Sequence, residues 1–270
     1  MQLIRSALSQ SMSSIQTHIE WLAGHADDAE AVHQLRVGLR RLRTVLRDMG
    51  GLCEGISPQW EPQLGDTFRA LGAHRDWVIL ETVIRPLLEE AGAPLTRWSM
   101  PVLPDLQSIL MSPPFQATWR EIQAFELGLH HAKPPARHEV LKWVAHRLDH
   151  LQKQVLLDGR HFEHLAGDRQ HQVRKRLKRL GYLCDMAAPL WPQSKRQIKR
   201  YLARIKAAQD ALGFHNDLFV AAQHFRSACE QDANAWFAVG YLQGRMALSA
   251  REAQDAIWVM AKHALSWETL

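Results

Sequence analysis

The chain has 270 residues, of which 46% are hydrophobic, and its 33 lysines and arginines against 28 aspartates and glutamates give a formal net charge of +5. This length and hydrophobic content are enough to fill a globular core, and they exclude an intrinsically disordered chain. The positive excess is compatible with a polyanionic partner but is modest for a nucleic-acid-binding protein. The position of the charge is therefore more informative than its total.

Leu, Ala, Gln and Arg are abundant beside Val and Ile, and no segment alternates with period two, so the sequence predicts an all-α fold. The predicted helices span residues 2–24, 29–49, 58–91, 113–131, 137–158, 167–187, 194–230, 234–247 and 250–267. Prolines and glycines between these segments indicate the joints. The proline-rich stretch 92–112 receives no assignment.

The cysteine spacing, the length of the apolar runs and the N-terminal segment indicate the cellular compartment of the protein. Cys53, Cys184 and Cys229 are widely spaced and contain no CxxC pair, which argues against a disulfide framework or a zinc site and predicts buried thiols. No apolar run is long enough to span a bilayer, and the amphipathic N-terminal segment does not resemble a secretion signal. We therefore expect a cytoplasmic protein without a membrane partner.

Two motifs occur twice, in the same order. The first, H-x-x-R-x-x-x-(R/K)-R-L, runs from His33 to Leu42 and again from His171 to Leu180. The second begins with Leu-Gly and ends with Asp, at Leu71 to Asp76 and at Leu212 to Asp217. The offsets of 138 and 141 residues are nearly equal, which predicts an internal duplication. We expect one domain over 1–270 built from two helical half-repeats, 1–132 and 133–270, each a bundle of about four helices.

The helix predicted over 29–49 carries two parallel rows of side chains. One row has the 3, 4 spacing of a buried seam and consists of Val32, Leu35, Leu39, Leu42, Leu46 and Met49. The row displaced by one residue is entirely basic and consists of His33, Arg36, Arg40, Arg43 and Arg47. Because one residue corresponds to a rotation of about 100°, the basic row is predicted to lie beside the core, at the shoulder of the bundle.

A charged row is usually a solvated helix face, but three features favour anion binding here. Arg36 with Arg40, and Arg43 with Arg47, are like-charge pairs that each cost about 0.2–0.5 kcal/mol in a helix. Arginine has a planar guanidinium that suits phosphate oxygens. The row also occurs twice, and its length of about 21 Å suits a linear polyanion.

The ordered motifs resemble those of the CHAD family, named for its conserved histidine α-helical domain, and residues 237–245 are similar to that family's late aromatic and glycine-containing helix. The resemblance implies two pseudo-symmetric four-helix bundles with a basic cleft or pore between them that binds inorganic polyphosphate. It further implies a non-catalytic module without a cofactor that can target proteins to polyphosphate granules.

The resemblance assigns the binding role to His33, Arg36, Arg40, Arg41, Arg43, His171, Arg174, Lys178 and Arg179. Helix geometry alone adds Arg47 and Lys175, with Lys199 and Lys206 as second-tier candidates. Gly181 and Asp185 stand where the second row would continue, so we expect the first half to carry more of the affinity.

The histidines and aspartates of the motifs have more than one interpretation. His33 and His171 could contact the anion near a helix N-terminus, or could hydrogen-bond to a neighbouring helix, and both roles stay open. Asp76 and Asp217 are expected to orient an arginine of the basic helices rather than to catalyse. His146 and His150 have zinc-like spacing without the HExxH glutamate, so we expect no metal site.

Nucleic-acid binding and phosphoanhydride hydrolysis are the two alternatives to polyphosphate binding. A nucleic-acid-binding protein would share the salt dependence, but the basic helices lack interleaved aromatics and any recognised reading motif. An enzyme acting on phosphoanhydrides, or an accessory domain of one, would need a metal-holding carboxylate cluster or a nucleophile, and the basic rows provide neither. The Glu-x-Glu-x-Lys signature of the CYTH domain, which often precedes CHAD domains, does not occur in this sequence. The sequence therefore predicts a binding module and leaves its oligomeric state open.

Overall fold

The computed structural model describes residues 2–26, 28–94, 102–129 and 135–270, which form helices and connecting turns without a β-strand. The predicted all-α class is thus confirmed for the described part of the chain. The helices are α1 (Gln2–Leu22), α2 (Ala29–Met49), α3 (Trp60–Ala70), α4 (Gly72–Ile79), α5 (Arg85–Glu90), α6 (Leu106–Leu110), α7 (Pro113–Gly128), α8 (Arg137–Gly159), α9 (Gly167–Ala187), α10 (Lys195–Ala228) and α11 (Ala235–Ala261). A π-helical turn, Leu80–Ile84, joins α4 to α5.

The two basic helices have the predicted bounds, because the signals at their ends are local. Helix α2 begins where the Asp28 carboxylate accepts a hydrogen bond from the Ala31 backbone N–H, which satisfies one of the free N-terminal donors. Both α2 and α9 contain 21 residues. The seam predicted for α2 is confirmed, since all six of its side chains are at most 5% exposed.

Two predicted helices differ from those observed. The segment predicted as one helix over 58–91 is divided at Leu71 into α3 and α4. The helices predicted over 234–247 and 250–267 are instead one helix, α11. Ser249 lies within this helix, and its hydroxyl donates a hydrogen bond to the Met246 carbonyl oxygen. The chain leaves the helix after Ala261 and buries Trp267, whose backbone N–H donates to Asp149.

Two polar contacts and one close packing contact fix α9 against its neighbours. Asp48 of α2 is fully buried and accepts hydrogen bonds from both Arg147 of α8 and Arg179 of α9. Arg41 of α2 forms an ion pair of 3.0 Å with Asp185 of α9. At Gly181, α9 lies so close to α10 that a Cβ atom would meet the Gln209 side chain and come within 3.1 Å of Ile205. The basic row of α9 therefore stops at this position for a packing reason.

Several remaining expectations concern single residues or boundaries. Cys184 is buried as predicted, whereas Cys53 and Cys229 are only half-buried, and all three are free thiols. The predicted boundary between 132 and 133 and the last residues of the helix predicted over 113–131 lie outside the described residues. Within the described part, no helix is both long and apolar enough to cross a membrane.

Candidate functional site

A cavity of about 750 Å³ lies between α2, the α3–α4 segment, α9 and α10. Three acids line it, Glu61, Asp76 and Asp168, against ten basic residues: Arg36, Arg40, Arg43, Arg47, Arg69, Arg75, Arg174, Lys175, Lys178 and Arg179. The excess of seven positive charges at this cavity exceeds the net charge of +5 of the whole chain. The cavity has the size of a small-ligand site, and the positive charge of the protein is concentrated there.

Nine of the eleven residues predicted to bind the anion line this cavity, and the two exceptions are His33 and Arg41. His33 lies beside the cavity with part of its ring exposed, and the partial burial of the ring, together with the charges of Arg40 and Arg75, lowers its pKa despite the attraction of Glu30. Arg41 is engaged by Asp185, because it lies outside the helical row formed by the other arginines of α2. Arg179 lines the cavity, but its guanidinium is held by Asp48.

The second-tier lysines do not reach the cavity. Lys199 is exposed, and the exposed Lys206 forms an ion pair with Asp210 one turn further along α10. The part of α10 that lines the cavity begins only at Leu212. The two lysines lie in the predicted direction around the axis of α10, but they lie too far along that axis to line the cavity.

Phe68 of α3 forms a platform for the arginines of α2, a role that no motif or spacing in the sequence indicates. The guanidinium carbons of Arg36, Arg40 and Arg43 lie 4.1, 5.0 and 5.8 Å from the centre of its ring. Arg36 Nη1 also donates to the Phe68 carbonyl oxygen at 2.7 Å. Cation–π attraction therefore helps to hold three mutually repelling cations in one row.

Glu61, in the first turn of α3, holds the other end of this row. Its Oε1 accepts hydrogen bonds from Arg43, with N–O distances of 2.9 Å to Nε and 2.7 Å to Nη2, and from Arg47 Nη2. Burial acts to raise the pKa of Glu61, but the hydrogen bonds and charges of Arg47 and Arg43 outweigh it and lower that pKa. Glu61 was not predicted, since no spacing rule relates it to an arginine on another helix.

The motif aspartates pair with a different arginine from the one expected. Both Asp76 and Asp217 contact Arg75 of α4, at 3.1 and 2.7 Å, rather than an arginine of α2 or α9. Burial acts to lower the pKa of Arg75, but the hydrogen bonds and charges of the two carboxylates raise it overall. Because Asp217 belongs to α10, this cluster ties α4 to α10 at the edge of the cavity.

His171 lines the cavity and also joins two helices. Its Nδ1 donates to Asn216 Oδ1 of α10 at 3.1 Å. Burial lowers the pKa of His171, as do the charges of Lys175 and Arg174, and these effects outweigh the hydrogen bond to Asn216 and the charge of Asp168. The geometry is compatible with both roles that the sequence left open for this histidine.

Five lining cations have no ion-pair partner within 4 Å among the described residues: Arg36, Arg40, Arg174, Lys175 and Lys178. The Nε atoms of the three arginines are buried, and no hydrogen-bond acceptor of the described chain contacts them. Burial, together with repulsion from Arg40, lowers the pKa of Arg36 and of Arg174 to about 10 and that of Lys178 to about 8. A bound anion would relieve this unfavourable concentration of charge.

In the described part of the chain, no group of three or more His, Cys, Asp or Glu side chains is arranged to hold a metal ion. What the cavity offers is a set of guanidinium and ammonium donors that point at one enclosed volume. Such an arrangement can bind phosphate oxygens through charge-assisted hydrogen bonds.

Comparison with known proteins gives a consistent result. The family model of the CHAD domain matches residues 6–226 of this chain. The chain is also similar to the CHAD domain from the plant Ricinus communis, whose crystal structure superposes with a TM-score of 0.75 at 24% identity, covering 98% of this chain and 92% of that chain. At this identity the structural likeness shows a shared fold. A comparison with curated proteins found no match.

Proposed function

The chain belongs to the CHAD domain family, and from this premise we propose that it binds inorganic polyphosphate in the basic cavity as a non-catalytic module. The observation that carries the proposal is the group of five cations that line one cavity without an ion-pair partner in the described chain, three of them arginines whose Nε atoms are buried. Polyphosphate carries about one charge on each phosphate, so a single chain can compensate several of these cations at once. Nucleic acid and phosphoanhydride hydrolysis remain the alternatives that the experiment has to separate.

We also propose that the cavity is the cleft between two pseudo-symmetric bundles that arose by duplication. The equal length of α2 and α9 supports this, as does the contribution of basic side chains from both helices to one cavity. The location in the cytoplasm, at polyphosphate granules, follows from the same proposal. A fluorescent fusion of the protein in cells with and without granules tests that part.

The test of the proposed function is binding of labelled polyphosphate to the full chain over a series of salt concentrations. We expect the affinity to fall steeply with salt, because bound cations replace the counterions of a linear polyanion. Single-stranded DNA and RNA, added at equal phosphate concentration, should compete poorly. Release of orthophosphate from the same samples would instead indicate an enzyme.

Charge reversal locates the site. Arg40→Glu combined with Lys178→Glu should abolish binding, since both residues line the cavity and neither has an ion-pair partner in the described chain. The matched control is Arg196→Glu combined with Arg200→Glu, which makes the same change of charge on two exposed residues of α10 outside the cavity. Circular dichroism confirms that both variants fold. Equal loss of affinity in both would show that only net charge matters, and would refute the cavity as the site.

A further inference from the structure

Glu61 is a carboxylate placed where a polyanion would bind. It lines the cavity, and its Oε1 accepts hydrogen bonds from both Arg43 and Arg47. A carboxylate at this position repels an incoming phosphate and occupies the donors that the phosphate would use. Its presence at the end of the arginine row therefore requires an explanation beyond ion pairing at a surface.

We infer that Glu61 is an internal counter-ion, which takes the place of a phosphate group at the Arg43–Arg47 end of the cavity and sets the preference for chain length. This inference rests on the proposed function. A short polyphosphate engages the cations that lack an ion-pair partner in the described chain, namely Arg36, Arg40, Arg174, Lys175 and Lys178. A longer chain also reaches Arg43 and Arg47, but only after it displaces Glu61.

The contact geometry matches that of an anion substitute. Glu61 Oε1 engages the Nε and Nη2 edge of Arg43, at 2.9 and 2.7 Å, which is the edge that a guanidinium presents to a phosphate. The same oxygen contacts Arg47 Nη2, so one atom blocks both arginines. The Arg47 side chain is 44% exposed, whereas those of Arg43 and Glu61 are 21% and 19% exposed, so the contact extends from a half-buried arginine to one that is open to solvent.

The alternative is that Glu61 positions Arg43 for the ligand, and the surroundings of Arg43 make this unnecessary. The guanidinium of Arg43 lies 5.8 Å from the centre of the Phe68 ring. It also packs against Gly65, where a Cβ atom would lie 3.0 Å from Nη2. Two contacts of α3 therefore hold the side chain in place without the carboxylate.

The other acidic pairs near the cavity have a different geometry. Asp217 of α10 contacts Arg75 of α4, so its removal would weaken the contact between two helices, whereas Asp76 contacts Arg75 within α4 itself. Glu61 joins α3 to α2, and the buried Trp60 and Leu64 of α3 belong to the same hydrophobic core as the seam of α2. The loss of Glu61 should therefore alter ligand binding more than the fold.

The experiment compares Glu61→Gln with the wild type and with Glu252→Gln, which removes the same charge from an exposed position of α11 outside the cavity. Binding of tripolyphosphate and of long-chain polyphosphate is measured by calorimetry at several salt concentrations. We expect Glu61→Gln to bind the long chain roughly two- to fivefold more tightly. The slope of log affinity against log salt concentration should steepen by the equivalent of about one to two additional phosphate contacts. The affinity for tripolyphosphate should change less than about twofold.

Each other outcome has a defined meaning. If the wild type binds long-chain polyphosphate and Glu61→Gln binds it equally or more weakly, Glu61 is a positioning residue or has no role, and the counter-ion inference is wrong while the proposed function stands. If both chain lengths gain equally, or Glu252→Gln gains as much, the effect is one of net charge and the inference is also wrong. If neither the wild type nor Glu61→Gln binds either probe, the proposed function fails and the inference fails with it.

Discussion

Helices α2 and α9 have the same length and related basic motifs, yet their cations differ in how they are compensated. On α2, Arg43 and Arg47 are paired with Glu61, and Arg41 with Asp185. On α9, Arg174, Lys175 and Lys178 line the cavity without an ion-pair partner within 4 Å in the described chain, whereas Arg176 is paired with Asp158 and Arg179 with Asp48. The number of basic residues on a helix is therefore a poor guide to the charge that remains available for a ligand.

This difference bears on which helix contributes more to binding. The uninterrupted row of α2 led us to expect that the first half carries more of the affinity. The ion pairs of α2 favour the opposite distribution, because a ligand must break them before it gains from Arg43 or Arg47. We now expect α9 to contribute at least as much as α2.

The largest effect concerns stability and the two carboxylates that hold α9 against α2. Asp48 is fully buried and serves two arginines, so Asp48→Ala should lower the free energy of unfolding by about 3 kcal/mol. Asp185 is half-exposed, and Asp185→Ala should cost less than about 1 kcal/mol. Urea unfolding monitored by circular dichroism measures both values. Similar losses of stability in the two variants would show that the buried Asp48 contributes no more to stability than the half-exposed Asp185.

The next effect concerns affinity and compares one cation from each helix. Arg174→Ala should weaken polyphosphate binding about ten- to hundredfold, because it removes charge-assisted hydrogen bonds that no carboxylate has to release. Arg43→Ala should weaken it less than about threefold, since Arg43 is already paired with Glu61. Titration calorimetry under identical salt conditions measures both. A greater loss for Arg43→Ala than for Arg174→Ala would contradict the distribution proposed above.

The smallest effect is a proton linkage at Lys178. Burial and the charges of Arg40, Arg174 and Lys206 outweigh Asp210 and lower its pKa to about 8, and a bound anion would raise that pKa again. Above about pH 8, Lys178 is largely deprotonated in the free protein but protonated in the complex. Binding of the anion is therefore accompanied by proton uptake, and the affinity falls as the pH rises through about 8 to 10. In the absence of ligand, the free energy of unfolding should increase as the pH rises over the same range. The reason is that the Lys178 amine is still protonated in the unfolded chain but not in the folded one.

Calorimetry at pH 8.5 in buffers of different ionisation enthalpy measures this uptake. Lys178→Met is the control and should lack the Lys178 contribution, which separates it from titration of the terminal phosphates. An uptake that is unchanged in Lys178→Met would assign the proton to another group.

Local patterns predicted the parts of the fold and site that depend on one helix at a time. The bounds of α2 and α9 and the seam of α2 follow from cap and spacing signals, and helix periodicity alone would have excluded Arg41 from the row. Glu61 and Phe68 were missed because they act on α2 from α3, through contacts that exist only in the folded chain. Lys199 and Lys206 lie outside the cavity lining. Periodicity does not indicate this, because it gives direction around a helix and not the distance to a cavity.

The measurement that tests the central claim most directly is a crystal structure of the protein with a short polyphosphate bound. We predict phosphate oxygens within hydrogen-bond distance of Arg40, Arg174 and Lys178, with the Glu61 pair to Arg43 and Arg47 intact for a short ligand. A polyphosphate bound only on another surface, with these three side chains unengaged, would contradict the assignment of the cavity as the binding site.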